Sequence, residues 1–414
     1  MKARYFVLFL LTLGAAQAFT IEQAVQKALE KNYSIKKAQL DHDSAKLQTQ
    51  QSLAGFFPQV DAHYNYSERD RVISPAQNKR ESVAGVTVSY NLFNGFKDRY
   101  GVKGANFYES AQQLNLQALQ KDVALQTKIL YITYLQQKKY LQIHKSSQKM
   151  LQKQYEDIQN YFKQGLVAQN EVLEVEVQLL HATQDVNSAK RALSLAKKDL
   201  ENYIGASIYS DITPITLTKA QFAYDKLVQK LSSREEIQAL QKIKASSITQ
   251  LKANRSSFMP QANVSVNYNE YGSSWDLGGD QSPSSQTTTS LELRWNLYSG
   301  GVDAAQQQIY RNQTSKANYQ LLSLEDDLIL QLDRSYTQYK NSKDNLKTAN
   351  KALNSAQKNY EIMQRQFSQG LIKSSELIDA NHLLVSAKTN HADALYTKEI
   401  AIQSLKRIAS KDFL

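Results

Sequence analysis

Two pairs of carboxylates are the side chains of this sequence whose spacing could carry chemistry. Glu171 and Glu174 stand six and nine residues after Gly165, and Glu376 and Asp379 stand at the same offsets after Gly370. A separation of three on a helix stacks two carboxylates on one face. The plainest use of such a pair is at a helix N-terminus, where the macrodipole favours acids. Chemistry of other kinds lacks its parts. The chain has no Cys, no phosphate-binding glycine loop, no GxSxG and no HExxH. Its six His are isolated: His144 and His391 fall on heptad seams, His63 on a polar strand face, and His42 in DHD, whose two acids face elsewhere on a helix. No enzyme, no cofactor and no metal site is expected.

The elements that position these acids occur twice. FKQGLVAQNEVLE (Phe162–Glu174) reappears as FSQGLIKSSELID (Phe367–Asp379), 205 positions on. FFPQVDAHYNY at Phe56 matches FMPQANVSVNY at Phe258, with Pro58 and Pro260 separated by 202, and YNLFNG at Tyr90 matches WNLYSG at Trp295, separated again by 205. The shift of three is confined to one place, as a variable loop would give, so the repeat is a unit of about 200 residues. The expected organisation is a first repeat over 19–210, a connector over 211–232 marked by Gly205 and Pro214, and a second repeat over 233–414.

Each repeat holds a helix, a short β region and a long helical hairpin with its tip at the QGL glycine. Strands are expected near 58–68, 82–93, 260–270 and 287–298, because Val60, Ala62, Tyr64 and Tyr66 alternate with Asp61, His63 and Asn65, and the other three segments alternate likewise. A soluble sandwich alternates in the same way. Here, however, Tyr64, Tyr66, Tyr90, Phe93, Tyr268, Trp295 and Tyr298 sit toward strand ends opposite a hydrophilic face, the pattern of a membrane barrel with aromatic girdles. Four strands cannot close a barrel, so several chains must share one. The polar segments between strands, with Pro75, Gly278, Gly279 and Pro283, read as hairpin loops.

From Arg99 to Gln164 and from Ala304 to Gln369 no proline interrupts, and roughly 66 residues make a helix of about 100 Å. Residues at alternating spacings of four and three form seams: Ser342, Leu346, Ala349, Leu353, Ala356, Tyr360, Met363 and Phe367, continued after the turn from Leu377 to Ile408, and in the first repeat from Val172 to Tyr203. Alanine alternating with larger residues suits sheets of helices side by side. Further helices are expected over Thr20–Ala54 and from about Ser233 to Ser257.

Lys2 and Arg4 before the apolar run Tyr5–Leu13, with Ala16-Gln17-Ala18 behind it, read as a secretory signal peptide over 1–18. A membrane anchor is the weaker reading because the apolar core is too short to span. No other apolar run nears the roughly 18 residues of a membrane helix. The formal charge of +11 falls by two once Lys2 and Arg4 leave, and the remaining Lys and Arg are spread along helices, which suits a solvated face rather than nucleic acid.

Taken together, the duplicated Pro-strand-strand-NLF/NLY-G segment and the QGL tips resemble the TolC-like outer-membrane efflux proteins over nearly the whole mature chain. The resemblance implies a mainly α fold with a small β part. It implies a homotrimer whose four strands per chain form a 12-stranded barrel in outer-membrane lipid, continued by a periplasmic α-helical barrel. It implies a passive exit duct for efflux or type I secretion, opened at its tip by a periplasmic adaptor protein and an inner-membrane efflux pump or ABC exporter. Residue by residue, it makes Glu376 and Asp379 the acids of the narrowest constriction, with Glu171 and Glu174 as their counterparts. Gly165, Leu166, Val167, Phe367, Gly370, Leu371, Ile372 and Lys373 become tip and adaptor contacts. Where the family pattern has a latching tyrosine and arginine around the second glycine, this chain has Phe367 and Ile372 with Lys373 adjacent. Closure is then expected to rest on Lys373 pairing with an acid, or to be looser. The alternative from another class is a structural periplasmic coiled coil, which accounts for the helices but not for the strands.

Overall fold

The computed structural model describes residues 19–74, 77–218, 220–275, 277 and 285–409. The expected signal peptide lies outside the described residues, as do Pro75, Gly278, Gly279 and Pro283 of the expected hairpin loops. In chain order the elements are α1 (Ile21–Lys31), α2 (Tyr33–Leu53), β1 (Gln59–Glu68), β2 (Arg80–Phe93), α3 (Lys97–Lys163), α4 (Gln169–Ile204), α5 (Tyr224–Leu231), α6 (Glu235–Asn254), β3 (Gln261–Gly272), β4 (Ser285–Arg294), α7 (Val302–Ser368) and α8 (Ser374–Ala409). The duplication is literal in the helices: α3 and α7 each have 67 residues, and α4 and α8 each have 36. The chain gathers into two compact units. One takes residues up to Lys37, 118–234 and those from Asp327 on; the other takes 38–117 and 235–326.

The second of these units contains one antiparallel sheet in the order β1-β2-β3-β4. Its register sorts the side chains by chemistry. Val60, Val88, Val266 and Thr289 form one cross-strand row, and Ala62, Val86, Tyr268 and Thr287 another. On the opposite face run Asp61, Thr87, Asn267 and Thr288, then His63, Gly85, Asn269 and Gln286. Within the first of these rows Thr87 Oγ1 donates to Asn267 Oδ1 at 2.9 Å. A Cβ on Gly85 would lie 2.2 Å from Asn269 Oδ1 and 2.7 Å from the His63 ring, so glycine is what lets those two side chains close over the strand. Among the described residues much of the apolar face is open: Val60 is 66% exposed, and Leu291 and Leu293 are each 73% exposed.

Two features of the sheet go beyond simple alternation. The pairing shifts between Asn91 and Phe93, a bulge that sets Phe93 opposite Ala262 and so returns it to the apolar face, which strict alternation would have given to Leu92 alone. And β4 is shorter than the expected strand. Its last residue, Arg294, pairs with Gln261, the first of β3; the next partner would be Pro260, which has no N–H to give. Trp295 and Tyr298, expected on the strand, therefore lie just beyond it and are 59% and 84% exposed.

In the other unit the seams are visible as burial. Ser342, Ala356 and Phe367 on α7, and Leu377, Ala380, Leu384, Ala387, Ala401 and Leu405 on α8, are buried. Within this packing Asn381, 2% exposed, donates from Nδ2 to Ser147 Oγ at 3.2 Å, a buried polar pair of the kind that fixes helix register. The expected Thr20–Ala54 helix is broken at Asn32, whose ψ of 126° is extended and whose Oδ1 accepts from the Ser34 amide at 2.9 Å. Such local side-chain bonding competes with the helix. The expected connector is not all irregular either, since α5 packs Leu227 and Leu231 inward.

The start of the described chain is tied down by backbone pairing. The Phe19 amide donates to the Asp211 carbonyl at 2.8 Å, and the Thr213 amide to the Phe19 carbonyl at 3.0 Å. The fully buried Tyr131 closes this junction: its hydroxyl lies 2.9 Å from the Phe19 carbonyl and 2.7 Å from that of Thr213. Burial, and then the nearby Glu22 carboxylate, push the Tyr131 hydroxyl up to about 12. Its proton is thus held more tightly in the folded chain than in the unfolded one, where a tyrosine ionises near ~10. The contribution is full below the unfolded value and is lost as pH rises toward the folded one. Tyr131→Phe should weaken the junction by about 1 kcal/mol, read as faster hydrogen exchange at the Phe19 and Thr213 amides, and should flatten the alkaline unfolding profile between the two pKa values.

Candidate functional site

The two QGL segments fold as the same turn. In the first, the Gly165 amide donates to the Phe162 carbonyl at 2.9 Å and the Leu166 amide to the Tyr161 carbonyl at 2.9 Å. In the second, Gly370 donates to Phe367 at 2.9 Å and Leu371 to Gln366 at 3.0 Å. Both glycines have φ of +72°. This nested pair of bonds around a left-handed residue satisfies the last carbonyls of a helix and reverses the chain, which explains glycine at that place. An added Cβ at either glycine would meet nothing within 4 Å, so the requirement is one of backbone conformation and not of space.

The turns are brought together although 205 residues separate them. A groove of about 680 Å³ runs between them, bordered by Leu166, Val167 and Glu171 from the first and by Gly370, Ile372, Lys373 and Glu376 from the second. Beneath it, Leu151, Ile158, Val175, Ala182, Phe367, Leu377 and Ile378 make one apolar cluster. Phe367 also lines the groove and is 9% exposed, with its ring centroid 6.4 Å from that of Tyr161. The exposed apolar tips are Leu166 and Leu371, 68% and 69% exposed.

The four acids are not equivalent. Glu376, Asp379 and Glu174 are exposed, while Glu171 is half-buried and accepts from Ser374 Oγ at 3.2 Å. Glu376 also turns one oxygen toward the Lys373 backbone amide, 3.4 Å away, as an N-terminal capping acid does. It is this amide, rather than the ammonium, through which Lys373 meets an acid of its own tip. Leu377, Ile378 and Ala380 are buried, so the Glu376 and Asp379 pair lies on the helix face turned away from the chain's own packing. Sequence reasoning missed the residues that join the two tips: Ser374, 1% exposed, whose carbonyl accepts from Gln154 Nε2 at 3.1 Å, and Tyr161. Tyr161 has no aromatic counterpart in the second repeat, where Gln366 stands, so the repeat gave no signal for it.

Among the described residues no group of three His, Asp or Glu is placed to hold a metal ion, and no helix is long and apolar enough to cross a membrane.

Comparison with known proteins agrees with this architecture. The model of the family described as outer membrane efflux protein matches twice, over residues 24–206 and 227–410. Outer membrane protein TolC of Salmonella enteritidis is 23% identical over 398 residues, which is 92% of this chain and 80% of that protein. Among solved structures, CusC superimposes with a TM-score of 0.82 at 14% identity, over 94% of this chain and 92% of that one. The CmeC outer membrane channel of Campylobacter jejuni gives 0.81 at 14% identity, over 95% and 87%. The open state of the MtrE outer membrane channel of Neisseria gonorrhoeae gives 0.79 at 16% identity, over 94% and 88%.

Since space is open around Gly370, the size of a replacement should matter less than its tolerance of a left-handed backbone. Gly370→Asn should be nearly neutral, whereas Gly370→Val should cost the tip turn roughly 1–2 kcal/mol. Amide hydrogen exchange at residues 370 and 371 reads the difference directly; equal exchange in the two variants would contradict it.

Proposed function

The chain belongs to the outer membrane efflux protein family, whose members are channels of the outer membrane with a periplasmic extension and not enzymes, and from that premise we propose how this chain forms and gates its duct. The observation that carries the reading is the tip groove: two turns distant in sequence meet, and the carboxylates of Glu376 and Asp379 are left on an exposed face.

Three copies would supply twelve strands, each chain's β1 pairing with a neighbour's β4, and outer-membrane lipid would cover the apolar face of Val60, Leu291 and Leu293. Tyr66 pairs with Ser82, and Tyr90 and Phe93 follow 8 and 11 residues further along β2. That is about 27 to 36 Å along the strand, or roughly 20 to 28 Å of height at a tilt near 40°, which brackets the apolar band of such barrels. These aromatics, with Tyr64 at one end and Trp295 and Tyr298 at the other, would be the girdles, whereas Tyr268, opposite Val86, falls midway between them.

Six tips would then meet at the end of the helical tube. Glu376 and Asp379 form its cation-selecting rings; Glu174 adds to them, and Glu171 contributes less because Ser374 already engages it. A periplasmic adaptor would seat over Leu166 and Leu371, around Gly165–Val167 and Gly370–Lys373, and link the duct to an inner-membrane pump or ABC exporter. A structural coiled coil without channel activity would leave the apolar sheet face in water, which no observation favours.

Planar-bilayer conductance of the purified protein tests the gate. The parent should pass a small, cation-selective current, and the Glu376→Ala, Asp379→Ala double variant should show a several-fold larger current with little selectivity. An unchanged current would place the constriction elsewhere, and no current from trimeric protein would remove the duct.

A further inference from the structure

Acids are missing from one stretch of the helical unit. No carboxylate occurs on α3 between Asp122 and Glu156, on α7 between Asp344 and Glu361, or on α8 between Asp379 and Asp393. These three acid-free stretches meet around an open groove of about 760 Å³, bordered by Lys139, Lys145 and Ile143 of α3, Leu353 of α7, and Lys388 and His391 of α8. The volume falls in the range of small-ligand sites, roughly 300–1,000 Å³.

Its electrostatics are unbalanced. Lys388 and His391 are half-buried, and both are shifted toward the neutral form, by burial first and by the charge of Lys139 second. The neighbouring acids have partners of their own: Asp393 Oδ1 accepts from Gln136 Nε2 at 2.8 Å and from the Tyr140 hydroxyl at 3.3 Å, Glu361 accepts from Gln357 Nε2 at 2.9 Å, and Asp185 of α4 lies 3.8 Å from His144 Nδ1. Cations crowded together on a partly dry wall are stabilised by an anion that hydrogen-bonds to several of them. Ile143, which is buried, and Leu353, which is half-buried, give the same groove an apolar floor. Aromatic rings on which bases could stack are not among the groove's lining residues, so nucleic acid is a poor fit.

We propose that this groove binds small organic anions, with a carboxylate, sulfonate or phosphate head held by Lys139, Lys145 and Lys388 and an apolar body laid against Ile143 and Leu353. The site is independent of the gate: it uses none of the tip acids, and it would exist whether or not Glu376 and Asp379 line the constriction.

The test is calorimetric titration of the full chain, in a nonionic detergent, with 4-phenylbutyrate, its uncharged amide and 4-phenylbutylamine. The carboxylate should bind saturably, one per chain, and the amide and amine at least about tenfold more weakly, the effect of losing a hydrogen bond to a charged group. The Lys139→Gln, Lys388→Gln double variant should weaken carboxylate binding by a similar factor, whereas Lys190→Gln, which removes a charge away from the groove, should not. Circular dichroism of each variant guards against misfolding. Equal binding of carboxylate and amide, or a double variant that binds like the parent, overturns the proposal. So does capture of a Glu-rich helical peptide at the same lysines without binding of 4-phenylbutyrate, which would make the groove a protein-docking surface.

Discussion

Unpaired backbone at the edges of a four-stranded sheet is the constraint on which the rest of the molecule depends. Among the described residues β1 and β4 are each paired on one side only, and Val60, Leu291 and Leu293 of the sheet's apolar face are exposed. Open edges invite pairing with another chain, and closure is the arrangement that removes them. Four strands are too few to close alone. The sheet therefore calls for copies of itself and for an apolar surrounding. Duplication of a strand-strand-helix-helix unit is an economical way to build such a wall: each repeat adds one hairpin of sheet and one hairpin of helices, with 67 and 36 residues in both.

The duplication left the turns alike and let their surroundings diverge. Phe162 and Phe367 hold the same place before their glycines, yet the first is 43% exposed and the second 9%. Glu171 and Glu376 hold the same place after them, yet one is tied to Ser374 and the other caps its own helix. A symmetric pair of tips would place two identical surfaces face to face. Instead, one tip supplies the aromatic that the other covers, and one acid of the set is spent on joining them.

Much of this was legible because it rests on periodicity. The heptad seams, the alternating strands and the glycine tips each follow from spacing that the backbone imposes, and Ala380, Leu384 and Ala387 are buried as their seam requires. What was not legible depends on a partner distant in sequence or on a local competitor. Asn32 breaks a helix through a bond to its own neighbour, β4 stops where Pro260 fails to pair, and Phe93 reaches the apolar face only through a bulge. Among the tip residues, the glycines and acids could be read from the repeat, but the burial of Phe367 and the Ser374 link to Glu171 could not, because neither is visible until the two tips are adjacent.

The proposed gate at the tips would need no chemistry of its own. What holds each turn is backbone amides and carbonyls around a glycine whose added Cβ would meet nothing within 4 Å. Below them lies a contiguous apolar cluster. Displacing such a tip requires no bond to be remade within the turn; what must change is the packing of α4 and α8 against α3 and α7. A partner that binds the displaced arrangement more tightly than the resting one shifts the balance by its differential affinity alone. In the proposed trimer, like charges on the exposed face of α8 would converge from three chains and bias that balance toward separation, and the apolar packing beneath would oppose them. On that proposal the resting state would be the outcome of two opposed local terms, each set by a few named residues.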